Sequence, residues 1–230
     1  MLEGHRALVD AMDAGVTPSL VLVDDSTPSD RLTYLPSSVS VRRVASRLFT
    51  EIASTQHPQG VLAVVPFPDV RPTHSTDPLT LVVDAVRDPG NLGTLLRSAA
   101  AAGVDRVALL PTTVDPYNAK VVRAGMGAHF RVGIEAINDD ELARVAADRG
   151  IVALLDAHGD QRYDDTDWTQ PALIIIGGEA FGPRAASRAA VTVSVRIPLA
   201  GGIESLNAGV AGSIVLFEAA RQRRASGRFG

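Results

Sequence analysis

Short apolar runs bounded by glycine, proline, aspartate or asparagine alternate with longer amphipathic stretches through the last two thirds of the chain. The pattern predicts strands near Leu79–Asp84, Arg106–Leu110, Arg131–Ile134, Ile151–Asp156, Ala172–Ile176 and Thr192–Ile197. Between and after them it predicts helices near Asn91–Ala102, Asn118–Ala124, Asp139–Asp148, Gly182–Ala189 and Asn207–Gln222. Strands and helices taking turns in this way argue for the α/β class, a parallel sheet with helices on both faces. Residues 1–66 read as a separate small α/β unit: helix Arg6–Ala14, strand Ser19–Val23, a polar turn over Ser26–Asp30, helix Val44–Ala53 and strand Gly60–Val65. Pro66, Pro68, Pro72 and Pro78 then interrupt regular structure, so residues 67–78 are expected to be a linker and residues 79–230 the second unit.

Three strand–turn–helix edges stand out in that second unit. Strand Leu79–Asp84 leads through Asp88-Pro89-Gly90 into a helix that Asn91 is expected to cap. Strand Ala172–Ile176 ends in Gly177-Gly178-Glu179-Ala180-Phe181-Gly182-Pro183. The third edge runs from Ile197-Pro198 through Gly201 and Gly202 to Ser205-Leu206-Asn207, with Asn207 the N-cap of the last helix. Small residues at the carboxyl ends of parallel strands leave main-chain N–H and C=O groups free for a ligand, the usual binding edge of such sheets.

Together these edges resemble the three motifs of the SpoU (TrmH-type) RNA ribose 2′-O-methyltransferases, of the knotted SPOUT class. Asn91 and Arg97 match the first motif, and Gly177, Glu179 and Gly182 the Gly-x-Glu-x-x-Gly of the second. The third is matched by Ile197, Pro198, Gly201, Ser205, Leu206, Asn207 and Ala211, with Leu199 where the family commonly has methionine. Ala180 and Pro183 depart from the second motif, where glycine and an apolar residue are common. The resemblance spans roughly residues 79–224.

It implies a SPOUT domain with a deep trefoil knot in its C-terminal half, preceded by an RNA substrate-binding domain of α/β type. Leu2-Glu3-Gly4-His5-Arg6 resembles the motif opening the first helix of that domain. The family has a basic stretch and a strand before this motif, so the resemblance also implies a shortened N-terminus that lacks its first strand. Implied too are S-adenosylmethionine as cofactor, held by main-chain groups at Gly177, Ile197 and Leu206, and an RNA partner, ribosomal before transfer RNA. Asn91, Arg97, Glu179, Ser205 and Asn207 are the implied catalytic set, and a homodimer the implied assembly. Arg97 is expected to grip a phosphate and polarise the 2′-oxygen, with Glu179 ordering Arg97 or the substrate ribose.

Charge changes the picture a little. The formal net charge of −4 over 230 residues is unusual for a nucleic-acid binder. Yet basic residues cluster, at Arg42, Arg43 and Arg47, at Lys120, Arg123 and Arg131, and at Arg221, Arg223, Arg224 and Arg228, and local field decides where phosphates settle. The chain has no cysteine, which excludes disulfides and thiolate ligands, and the scattered histidines lack metal-ligand spacing, so no metal is expected. His129 reads as a packed or exposed side chain. With no membrane-length apolar run, a cytoplasmic protein is expected. Two other readings are weighed. Gly90-x-x-Gly93 opens a helix as a nucleotide-binding loop would, but neither Gly-x-Gly-x-x-Gly nor Gly-Lys-Ser/Thr occurs. An RNA-binding module with a decayed site is the second, and the five retained polar residues count against it.

Overall fold

A computed structural model describes residues 1–70, 78–179 and 182–227. The chain divides into two compact units, Met1–Asp69 and Val70–Gly230.

The first unit contains β1 (Leu2–Glu3), α1 (His5–Asp13), β2 (Leu20–Asp24), β3 (Val41–Val44), α2 (Ser46–Ile52) and β4 (Val61–Val64). Its four strands run in the order β1-β4-β2-β3, with β4 antiparallel to both neighbours and β3 parallel to β2. Two strands escaped the pattern reading. β1 has only two residues, and β3 (Val-Arg-Arg-Val) is an exposed edge strand that buries no side chain. Leu8, Val21, Val23 and Phe49 are fully buried and form the centre of this unit.

The second unit holds β5 (Leu79–Asp84), α3 (Pro89–Ala101), β6 (Arg106–Leu109), α4 (Ala119–Gly125), β7 (Gly133–Ala136), α5 (Asp139–Ala147) and β8 (Ile151–Leu155). It continues with β9 (Gln161–Arg162), β10 (Ala172–Gly177), α6 (Ala185–Ala190), β11 (Val193–Arg196) and α7 (Ala208–Ala225). The seven strands form one sheet in the order β7-β6-β5-β10-β8-β11-β9, and every pairing is parallel. β10 lies between β5 and β8, so the second motif edge is next to the first, and the third, at the end of β11, lies two strands further along the same side. All six residues of β5 are buried, as a central strand covered on both faces requires.

Two separate cores confirm helices on both faces. One joins Leu92, Leu95 and Leu96 of α3 with Val215, Leu216 and Ala219 of α7; the other joins Leu142 of α5 with Val152, Leu173 and Ile175. Each fully buried leucine here contributes about 1.5–3 kcal/mol. α3 and α7 approach closely because of Gly212: a Cβ there would fall 2.4 Å from the Leu95 side chain. That contact brings the start of α7 beside the start of α3.

Several expectations need correction. The first-motif helix is capped by Asp88, whose Oδ1 accepts from Asn91 N at 2.8 Å, and Pro89 sits in its first turn. Asp followed by Pro is the better start signal, since proline needs no N–H at that position. The segment expected as strand Arg131–Ile134 follows a short 3-10 turn over Ala128–Phe130 and becomes β7 only at Gly133. Arg223 is not part of a solvated basic face. It is buried, donating to Trp168 O at 2.9 Å and Gln170 O at 2.7 Å, and Arg228 lies outside the described residues. Most of the expected linker, residues 71–77, also lies outside them.

Candidate active site

The site is built where β5, β8, β10 and β11 end. Asp88 takes the capping role at α3, which releases the Asn91 carboxamide from local duty. Buried at 7% exposure, Asn91 donates Nδ2 to Glu179 Oε1 and accepts at Oδ1 from Asn207 Nδ2 at 2.7 Å. Asn207 in turn uses its Oδ1 to cap α7, accepting from Val210 N at 3.1 Å. Both ends of each carboxamide are therefore committed, which fixes their orientation. Glu179 Oε1 also lies 3.5 Å from Ala208 N, at the positive end of the α7 dipole, a favourable place for a carboxylate. One residue from each motif thus meets in a single hydrogen-bonded chain, Val210–Asn207–Asn91–Glu179.

Beside this chain lies a cavity of about 210 Å³ lined by Gly177, Glu179, Ile197, Ser205 and Leu206, together with Leu155, Asp156, Ile176, Leu199, Ala208 and Ala211. All three expected cofactor positions line it. Its walls are mainly aliphatic, and its polar groups are two carboxylates and a hydroxyl. Apolar walls suit a flat heterocycle, while carboxylates suit a cation, and the cavity therefore fits a nucleoside bearing a positively charged substituent. Gly177 has no room for a side chain: a Cβ would meet Pro183 at 2.8 Å. A wider groove of about 660 Å³ along Gln161–Arg162 and Val191–Ser194 contains none of the motif residues.

Arg97 stands apart. Six residues on from Asn91, it is turned about 120° around the helix. It is exposed, does not line the cavity, and its side chain makes no hydrogen bond among the described residues. Glu179 is bonded to Asn91 and, among the described residues, not to Arg97, which leaves the substrate ribose as the other partner expected for it. Ser205 lines the cavity with its hydroxyl free of hydrogen bonds among the described residues. His129 is buried and holds Pro116 O through Nε2 at 2.7 Å, a packing role. Asp156 is the residue that pattern reading missed. It follows β8, its N donates to Val195 O at 2.9 Å, and its Oδ1 accepts from His158 N at 2.8 Å. An acidic residue at the carboxyl end of a buried parallel strand was the available signal. Among the described residues no group of three or more His, Asp or Glu side chains is placed to hold a metal ion. No helix among them is long and apolar enough to cross a membrane.

The SpoU rRNA Methylase family matches residues 78–217. The chain belongs to this family. The mitochondrial rRNA methyltransferase 3 of Mus musculus is 34% identical over 97% of this chain and 68% of its own length. The 23S rRNA (guanosine(2553)-2′-O)-methyltransferase RlmP of Bacillus subtilis is 30% identical over 94% of this chain and 86% of its own. Among solved structures, the SpoU methyltransferase AviRb from Streptomyces viridochromogenes in complex with the cofactor AdoMet is similar, with a TM-score of 0.85 and 31% identity over 97% of this chain and 90% of that one. Membership makes the protein an RNA ribose 2′-O-methyltransferase that uses S-adenosylmethionine.

Proposed function

We infer that this SpoU enzyme methylates a ribose 2′-hydroxyl of ribosomal RNA, with the methyl donor bound in the cavity at Gly177, Ile197 and Leu206. The observation that carries the reading is the meeting of all three motifs, through Asn91, Glu179 and Asn207, at the wall of that cavity. When bound, S-adenosylmethionine supplies a methyl group on a sulfonium, ready for transfer to an aligned oxygen. Main-chain groups at Gly177, Ile197 and Leu206 hold the donor, and the aliphatic side chains around them exclude water. Asp156 and Glu179 favour its positive charge. Ser205 and Asn207 present hydroxyl and carboxamide to the substrate ribose. Arg97 supplies the cation that binds the neighbouring phosphate and stabilises negative charge on the 2′-oxygen; a guanidinium does not act as the base, since it does not readily lose a proton.

Residues 1–66 are proposed to recognise the RNA, joined by the 67–78 linker to the catalytic unit. The knot belongs to the same proposal, supported by the strand order: β10 is inserted between β5 and β8, two strands that precede it in the chain. So does a two-fold dimer. Val210 and Phe217, seven residues apart on one face of α7, are 47% and 45% exposed, which leaves an apolar face uncovered on the helix that starts at the site. A cytoplasmic location completes the reading.

Incubating the purified protein with methyl-labelled S-adenosylmethionine and ribosomal RNA, transfer RNA or DNA tests it. Label is expected on ribosomal RNA alone, at one alkali-resistant linkage. Label on a base, or on transfer RNA only, would overturn the proposed target.

A further inference from the structure

Asp84, the last residue of β5, is fully buried. Its carboxylate accepts from Arg184 N and Arg184 Nε, each at 2.7 Å, and from Ser187 Oγ at 2.6 Å. Its main-chain carbonyl accepts from Gly178 N at 2.8 Å. A single residue therefore grips the chain on both sides of Glu179, at Gly178 before it and at Arg184 after it. Gly178 can approach only because it lacks a side chain, as a Cβ would lie 2.2 Å from the Ala85 carbonyl oxygen. Gly182 N also closes back on Gly178 O at 3.0 Å. The far arm of Arg184 donates to Asp139 Oδ1 at 2.7 Å, so the guanidinium is held from β5 and from α5 together. The Asp84 carboxylate takes one bond from the Arg184 guanidinium and a second from the Arg184 main-chain N–H, and these charge-assisted bonds together fix direction as well as distance.

Neither Asp84 nor Arg184 lines the cavity, and neither belongs to the three motifs. We propose that the Asp84–Arg184 pair is a positioning device for the methyl-transfer site, setting Glu179 against Asn91 and the start of α7. The proposal rests on the role assigned to Glu179 above. Asp84 is suited to this task because it also precedes the turn into α3. The two backbones that carry Asn91 and Glu179 are thus referenced to one buried residue. Arg184 stands next to Pro183, where this chain departs from the common family pattern.

A double-mutant cycle between Arg184→Ala and Glu179→Gln, read by methyl transfer to ribosomal RNA and by amide hydrogen exchange, tests the proposal. In the parent background Arg184→Ala is expected to lower kcat about tenfold, and in the Glu179→Gln background less than about twofold, because residues acting through one group are not additive. Exchange at the Gly178 amide should rise about tenfold or more, while the amides of Val82 and Ile175 stay protected. Equal losses in both backgrounds, an unchanged kcat, or a general loss of protection across the sheet would overturn the positioning role. Arg184→Lys, which keeps the charge but not the planar fork, serves if Arg184→Ala does not fold. Should Glu179→Gln alone transfer methyl groups at the parent rate, the reading of Glu179 falls, and the positioning role with it. A strong loss in Glu179→Gln with additive behaviour in the cycle sinks the clasp alone.

Discussion

Asn207 donates its carboxamide Nδ2 to Asn91 Oδ1 at 2.7 Å across 116 positions of chain. The same Asn207 caps α7, and the same Asn91 holds Glu179, so helix capping and site assembly depend on one pair of side chains. Asn91→Asp keeps the acceptor for Asn207 but sets a second carboxylate against Glu179. Methyl transfer should fall by about a hundredfold, the scale for a lost preorganised polar group. The thermal midpoint should drop as well, because an unmet buried hydrogen-bonding group costs about 1–3 kcal/mol. Single-turnover kinetics and a melting curve check both.

Gly177→Val should abolish binding of S-adenosylmethionine. Its side chain has no space beside Pro183, so the substitution displaces the turn that carries Glu179. Ala211→Leu is the complementary variant, projecting bulk into the cavity from α7 while leaving that turn intact. Calorimetry should show at least about tenfold weaker binding, as a filled pocket loses the apolar contact it offered. Unchanged affinity in both variants would place the cofactor elsewhere.

Arg97→Ala should leave cofactor affinity at the parent value, since Arg97 does not line the cavity. Methyl transfer to ribosomal RNA should fall about a hundredfold, equivalent to roughly 3 kcal/mol of transition-state stabilisation. Arg97→Lys should recover little, because an ammonium lacks the two-pronged contact of a guanidinium. A parent rate in Arg97→Ala would make it an ordinary surface arginine.

The uncovered face of α7 predicts that Phe217→Glu shifts the protein toward monomer in sedimentation experiments. Phe217 is 45% exposed, so the charge is tolerated in an isolated chain and rejected only where a second copy covers it. A parent protein that sediments as a monomer at every concentration would refute the dimer.

Burial holds the His129 imidazole below its ordinary value, opposed by its bond to the Pro116 carbonyl. Its Nδ1 is buried without a partner among the described residues, so protonation would create an N–H with none of them to accept it. The folded-state pKa is depressed, and the unfolded chain binds more protons below about pH 6.5. The stabilisation from neutral His129 is therefore complete above that pH and declines as acid is added. The melting temperature should fall between pH 7 and pH 5, and less steeply in His129→Asn. Identical slopes in the two proteins would remove His129 as a source of acid sensitivity.

The strand–turn–helix edges were legible in the chain because they depend on local rules. Leu79–Asp84 and Ala172–Gly177 are unbroken apolar runs, as strands buried on both faces must be, and Asn207 stands where a helix start needs an acceptor. Asp88-Pro89 carries a capping signal too, although the chain pattern assigns the cap to Asn91, and the structure gives it to Asp88. What tertiary structure alone decided is which distant groups meet. The partners of Asn91 lie 88 and 116 residues away, and those of the Asp84 carboxylate 100 and 103. No periodicity encodes such pairings, because they arise from the order in which β10 is placed between β5 and β8. The burial of Arg223 has the same origin: its charge suggested solvent, but the carbonyls of Trp168 and Gln170 come to it only when α7 packs against one face of the sheet. Local pattern determines the elements and the residue types at their ends, while long-range packing determines which of those ends share one site.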